Sequence, residues 1–103
     1  MDQQALAEVW YRQVSHELGE GTPEDVKCEM KLRMGVPILR ATDDDFRATW
    51  DEKIKGIFTY EHKIALMRYL PVTSLLTTEQ MSSYLDNMQK EYARRGVVLE
   101  ARE

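Results

Sequence analysis

Thr77-Thr78-Glu79-Gln80-Met81-Ser82-Ser83-Tyr84-Leu85-Asp86-Asn87-Met88-Gln89-Lys90-Glu91-Tyr92-Ala93-Arg94-Arg95-Gly96 is the stretch that decides the fold. Met81, Tyr84, Leu85, Met88 and Tyr92 step at three and four residues, so they share one face of an α-helix. Thr77-x-x-Gln80 is a capping box that opens the helix, and Gly96 is placed to close it. A single amphipathic face of this length needs other helices to cover it, and the rest of the chain supplies them.

Reading back from that helix, Pro71 to Leu76 is a connector rich in hydroxyls, and Thr59 caps a fourth helix with Ile64, Met67 and Leu70 inward. Thr42-Asp43-Asp44-Asp45 starts a third, which carries Phe46 and Trp50, with Ile54 next in the series and Gly56 as its break. Val36-Pro37-Ile38-Leu39 reads as a connector with an extended piece, because Pro37 disfavours helical geometry at Val36. The second helix opens at Thr22-Pro23-Glu24-Asp25, turns Val26, Met30 and Met34 inward and stops at Gly35. The first runs from Asp2 to Leu18 with Leu6, Val9, Trp10, Val14 and Leu18 as its stripe, and Gly19 and Gly21 end it. Val97-Val98-Leu99, beyond Gly96, reads as a short C-terminal strand. The expected fold is therefore all-α: a single small domain, residues 1–103, of five short helices with that short strand.

Composition agrees. The chain has 103 residues, 43% hydrophobic and 31% charged, which is ordinary for one globular domain. Its apolar runs are too short to cross a membrane, and no signal peptide opens it. The lone cysteine, Cys28, forms no internal disulfide and fits a reducing, cytoplasmic setting. A net charge of −4 excludes a strongly basic nucleic-acid or membrane binder while leaving room for a local basic patch.

Catalytic chemistry has no signature. His16, His62 and Cys28 lie far apart without paired ligand spacing, so no metal or cofactor is expected. Asp43-Asp44-Asp45 lacks the glycine and the later glutamate of a calcium loop and reads as helix-start chemistry. No nucleophile motif or phosphate-binding glycine loop occurs, and no spacing selects a carboxylate pair. A nuclease is disfavoured for the same reason. A helix-turn-helix regulator meets a long turn, Pro71 to Leu76, and a fifth helix that is not basic at its start.

The basic residues are the candidate binding set. Lys27 and Lys31 share a face of helix two, with Arg33 and Arg40 following; Lys90, Arg94 and Arg95 cluster at the end of helix five. Two readings stay open for them: solvated helix faces, diluted by Glu29 and Glu91, or a phosphate track on which Lys27, Lys31 and Arg33 converge with Lys90, Arg94 and Arg95. Trp10 and Trp50 belong to apolar stripes and are expected in the core. Tyr11, Tyr60 and Tyr69 are weaker stacking candidates, expected to be partly buried. Thr73, Ser74, Thr77 and Thr78 serve turns and caps more simply than phosphates.

Glu24-Asp25-Val26-Lys27-Cys28, then Thr73-Ser74, then Met88-Gln89 and Arg95-Gly96-Val97 follow Asp2-Gln3 and Val9-Trp10 in order. In that order and spacing the chain resembles the helical part of the lambda NinB (Orf) family of phage and prophage recombination proteins. The resemblance implies a homodimeric, non-enzymatic mediator. Such a protein binds single-stranded DNA, engages the host single-strand-binding protein and assists loading of a recombinase. Lys27 falls in the matching Glu-x-x-Lys-Cys stretch, and Arg95 matches the arginine before the terminal glycine. Family members usually carry an additional β-rich N-terminal region. This chain starts almost at the first matching helix, so it is expected to be the C-terminal part of a longer member, a minimal version, or a relative with another role. The alternative is an acidic, dimeric protein-interaction domain without nucleic-acid contact, with Asp43, Asp44, Asp45 and a methionine-rich surface as its contact features.

Overall fold

The computed structural model describes residues 2–100. Their order is α1 (Gln3–Leu18), α2 (Pro23–Met30), a π turn (Lys31–Gly35), α3 (Val36–Thr42), α4 (Asp44–Lys53), α5 (Tyr60–Met67), a short 3-10 turn (Thr73–Leu75) and α6 (Thr78–Arg94). The fold is all-α, and no strand occurs among the described residues. Since α2, the π turn and α3 run on without a break, five helical rods result.

The starts are written in local chemistry. Asp2, Asp43 and Thr59 each accept a backbone N–H from the residue three positions on. Thr22 with Asp25 and Thr77 with Gln80 form reciprocal capping boxes. Each such cap satisfies donors that a helix start leaves unpaired, about 1 kcal/mol apiece. Gly19 and Gly96 close α1 and α6 at φ 64° and 85°, where a side chain would strain the backbone.

One expected break is absent. Val36 is helical (φ −56°, ψ −44°), so residues 36–39 continue the rod rather than forming an extended connector. The Val36 N–H donates to the Lys31 carbonyl, five residues back. A wider turn of this kind gives the Pro37 ring room that a tight helix denies it. Gly35, expected to stop the helix, serves instead as a point of close approach, since a Cβ there would stand 2.6 Å from Val72 Cγ1. The glycine lets the connector before α6 press onto the rod.

Two apolar clusters form the core. The first joins α1, α2, α6 and the tail through Trp10, Val14, Met30, Tyr84, Met88 and Tyr92. The second joins Cys28, Val36, Leu39, Trp50, Met67 and Val72, with α4 and α5 closing over it. Both tryptophans lie in these cores as their stripes predict. Tyr11, expected to be partly buried, is 1% exposed, and its hydroxyl hydrogen-bonds that of Tyr84 at 2.7 Å.

The C-terminal strand is also corrected. Val97 and Leu99 are buried and Val98 is exposed, the alternation of a strand, but no strand among the described residues pairs with them. Side chains hold the tail instead. Trp10 Nε1 donates to the Glu100 carbonyl (3.0 Å), Gln13 Nε2 to that of Val98 (2.9 Å) and Gln89 Nε2 to that of Leu99 (2.7 Å).

Candidate nucleic-acid interface

The end of α6 is where cations gather. Arg94 and Arg95 follow Glu91 at helical spacings of three and four, so all three project from one end of the helix. Glu91 is buried on the inner edge of that face. Arg33, on the π turn, reaches it from the neighbouring rod: Nη2 lies 3.3 Å from Glu91 Oε2, while Nη1 lies 3.2 Å from Glu29 Oε1. Arg95 donates to Glu91 Oε2 from Nη2 (2.9 Å) and Nε (3.2 Å), and its Nη2 stands 3.7 Å from Glu29 Oε1. Arg94 pairs with the other Glu91 oxygen. Burial pushes the Glu91 carboxyl up, but hydrogen bonds from Arg95 and Arg94 and the charge of Arg33 outweigh it and hold the group below its usual range.

The glutamates therefore order the arginines as much as they dilute them. Lys90 shares a shallow depression of about 580 Å³ with Glu91, Arg94, Met34, Asn87 and Ala93. Four cations (Arg33, Lys90, Arg94, Arg95) stand against two carboxylates (Glu29, Glu91), an excess of two positive charges.

An exposed aromatic stands in the field of two of these arginines. Tyr60, the first residue of α5, is 54% exposed rather than partly buried. Its hydroxyl is pushed upward by partial burial and by Glu29, with Arg33 and Arg95 pulling the other way, so it titrates in the field of the same cluster. The Arg95 guanidinium also lies 5.2 Å from the centre of the Tyr92 ring. Tyr69, equally expected to be partly buried, is 82% exposed and touches none of these charges through an ion pair or ring contact.

The remaining predicted cations do not join. Lys31 is 5% exposed and donates its ammonium to the Met67 carbonyl at the end of α5. Helical spacing sets it on one face with Lys27, but the two side chains part, and α5 receives the Lys31 ammonium. Burial, followed by the nearby Lys27 charge, pushes its pKa down. Lys27 turns toward α1, with Nζ 2.7 Å from Glu8 Oε1. Arg40 ties α3 to α4, with Nη2 2.7 Å from Asp51 Oδ1. The expected six-residue convergence is thus reduced to Arg33, Lys90, Arg94 and Arg95.

Thr77 caps α6, and Thr73 is buried with its carbonyl accepting from Gln4 Nε2. Among the described residues no three His, Cys, Asp or Glu side chains gather as a metal site requires. Likewise, no described helix is long and apolar enough to cross a membrane. From the sequence, Glu29 and Glu91 read only as diluents, and nothing couples Tyr60 to Arg33 and Arg95. The Glu29–Arg33, Glu91–Arg94 and Glu91–Arg95 spacings are the available signal. No family model, curated protein or solved structure matches this chain.

Proposed function

We propose that this domain is a non-enzymatic, cytoplasmic accessory protein of phage or prophage DNA recombination, acting as a homodimer on single-stranded DNA and the host single-strand-binding protein that coats it. The observation that carries the DNA contact is the cation excess of Arg33, Lys90, Arg94 and Arg95 at the end of α6, with the exposed Tyr60 in the field of Arg33 and Arg95. Single strands are held without sequence preference by cations that track phosphates and by aromatic faces on which bases stack. A phosphate entering here exchanges for the glutamates as partner of the arginines. Glu29 and Glu91 hold those arginines in place beforehand, which limits the entropy lost on binding. Lys27, Lys31 and Arg40 are left out of the track, because each is committed elsewhere.

Fluorescence anisotropy with a labelled single strand and its duplex, at low and moderate salt, tests this. The single strand binds preferentially and weakens steeply with salt. Tyr60→Ala lowers its affinity about tenfold, within the ~1–3 kcal/mol range of base–aromatic stacking. Removing Lys90 and Arg94 together lowers the salt slope by about 1.4, at ~0.7 per phosphate contact. Arg40→Ala leaves affinity within about twofold, that cation being off the track. Absence of binding to either DNA at low salt sinks the reading. It would select the second one, a protein-interaction domain without nucleic-acid contact. A specific observation favours that alternative: Lys27, Arg33, Arg40, Arg94 and Arg95 are all engaged in ion pairs within the molecule.

A further inference from the structure

A second surface has the opposite character. Between α4 and the connector segment holding Leu70 and Leu75 lies a groove of about 380 Å³. Phe46, Trp50, Ile54, Leu70 and Leu75 form its walls. The Phe46 and Trp50 rings stack one turn apart, centroids 5.8 Å and planes 13° from parallel, and make a flat apolar wall. Leu75 stands at the lip with 53% of its surface exposed. The groove opens into a polar depression of about 550 Å³ that shares Asp43, Asp45 and Leu75 with it and adds Asp44, Thr77 and Gln80. No Lys, Arg or His lines either hollow. Asp43 caps α4, and Asp44 pairs with Arg47 at 3.1 Å. Asp45 is exposed and has no ion-pair partner among the described residues.

We infer that this groove docks a basic amphipathic segment of another protein, an apolar side chain entering between Phe46, Ile54, Leu70 and Leu75 and a Lys or Arg one turn away meeting Asp45. The volume lies near the lower end of the roughly 300–1,000 Å³ typical of binding pockets, enough for anchor side chains and not for a large cofactor. Apolar walls beside an acidic rim select a partner by sign: a cation gains there, and a carboxylate in the same place is repelled. Helix-in-groove recognition uses this combination of apolar anchors and flanking charge. The surface is independent of the arginine cluster, which carries the opposite excess charge.

The test uses the full chain and two synthetic helical peptides, identical in their Leu anchors and differing in Lys or Glu at the flanking positions. Amide chemical-shift titration is the readout. The Lys peptide binds and moves resonances at 43–54 and 70–76, and the Glu peptide binds at least about tenfold more weakly. Leu75→Glu, at an exposed position, lowers affinity for the Lys peptide about tenfold or more. Asp45→Lys inverts the preference between the peptides. Both variants keep the wild-type affinity for single-stranded DNA, so failure of this inference and failure of the DNA reading are told apart. Equal binding of the two peptides, shifts confined to other surfaces, or no binding at millimolar peptide overturns the inference. So does a concentration-dependent shift of the same resonances without peptide that Leu75→Glu abolishes, since the occupant would then be a second copy of this chain.

Discussion

Tyr84 and Val72 are both fully shielded from water, yet different devices shield them. Tyr84 belongs to a stripe on the 17-residue α6, and its phenol finds a partner in Tyr11 on α1, an equally regular helix. Two long amphipathic faces meet, and each side chain is where helical spacing puts it. Val72 sits in a connector and is buried because Gly35, on the π turn, offers no side chain to keep it away. The first half of the core is built from periodic faces. The second is built from an irregular turn, a missing Cβ and a buried lysine. A regular stripe has many equivalent contacts, whereas the second arrangement depends on a few positions without substitutes.

The sharpest way to break this comparison is to remove Tyr84. Tyr84→Ala opens a cavity and leaves the Tyr11 hydroxyl unpaired, with an expected loss of about 3–5 kcal/mol in urea unfolding. Circular dichroism and tryptophan fluorescence, which together sample both halves, should then report one coincident transition. Separate transitions would make the halves two cooperative units. A smaller effect is expected from Gly35→Ala. The new methyl meets Val72, and forcing it in costs about 1–3 kcal/mol. Val72→Ala in the same chain should return part of that loss. A double-mutant cycle without coupling would show that the contact does not decide the second half.

The smallest effect belongs to the rim of the first half, where Glu91 joins α6 to the π turn. Its carboxyl is held below its ordinary range because the arginine hydrogen bonds outweigh the burial cost. The stability this contributes is present above the unfolded-state value of ~4.3 and is lost as pH falls through the folded-state value. Glu91→Gln should flatten the acid limb of the stability profile, by about 1 kcal/mol or less because the arginine partners are themselves open to solvent. A profile identical to wild type would mean that the arginines do not stabilise this carboxylate.

Much of the first half was legible. The α6 stripe, its Thr77–Gln80 box and the positive-φ Gly96 all stand where the spacing set them. In the second half the Phe46–Trp50 step and the Thr59 cap were legible too, but the Pro37 rule pointed the wrong way because a wider turn upstream accommodated the ring. The candidate site was half legible. Arg33, Lys90, Arg94 and Arg95 came from their clustering in sequence, while the inward turn of Lys31 and the electrostatic coupling of Tyr60 to Arg33 and Arg95 had no local signal.

The sequence by itself determined where helices start, which faces they bury and which residue ends α6. These outcomes rest on contacts within a turn or two of chain, where spacing alone brings atoms together. Only the tertiary structure decided that Gly35 is a point of approach, that Lys31 serves Met67 and that the tail is strapped by side chains. The same holds for Glu91, which draws in an arginine 58 residues away. Each of these depends on what a distant segment presents at the point of contact. Helical periodicity fixes the direction of a side chain but not the neighbour it meets.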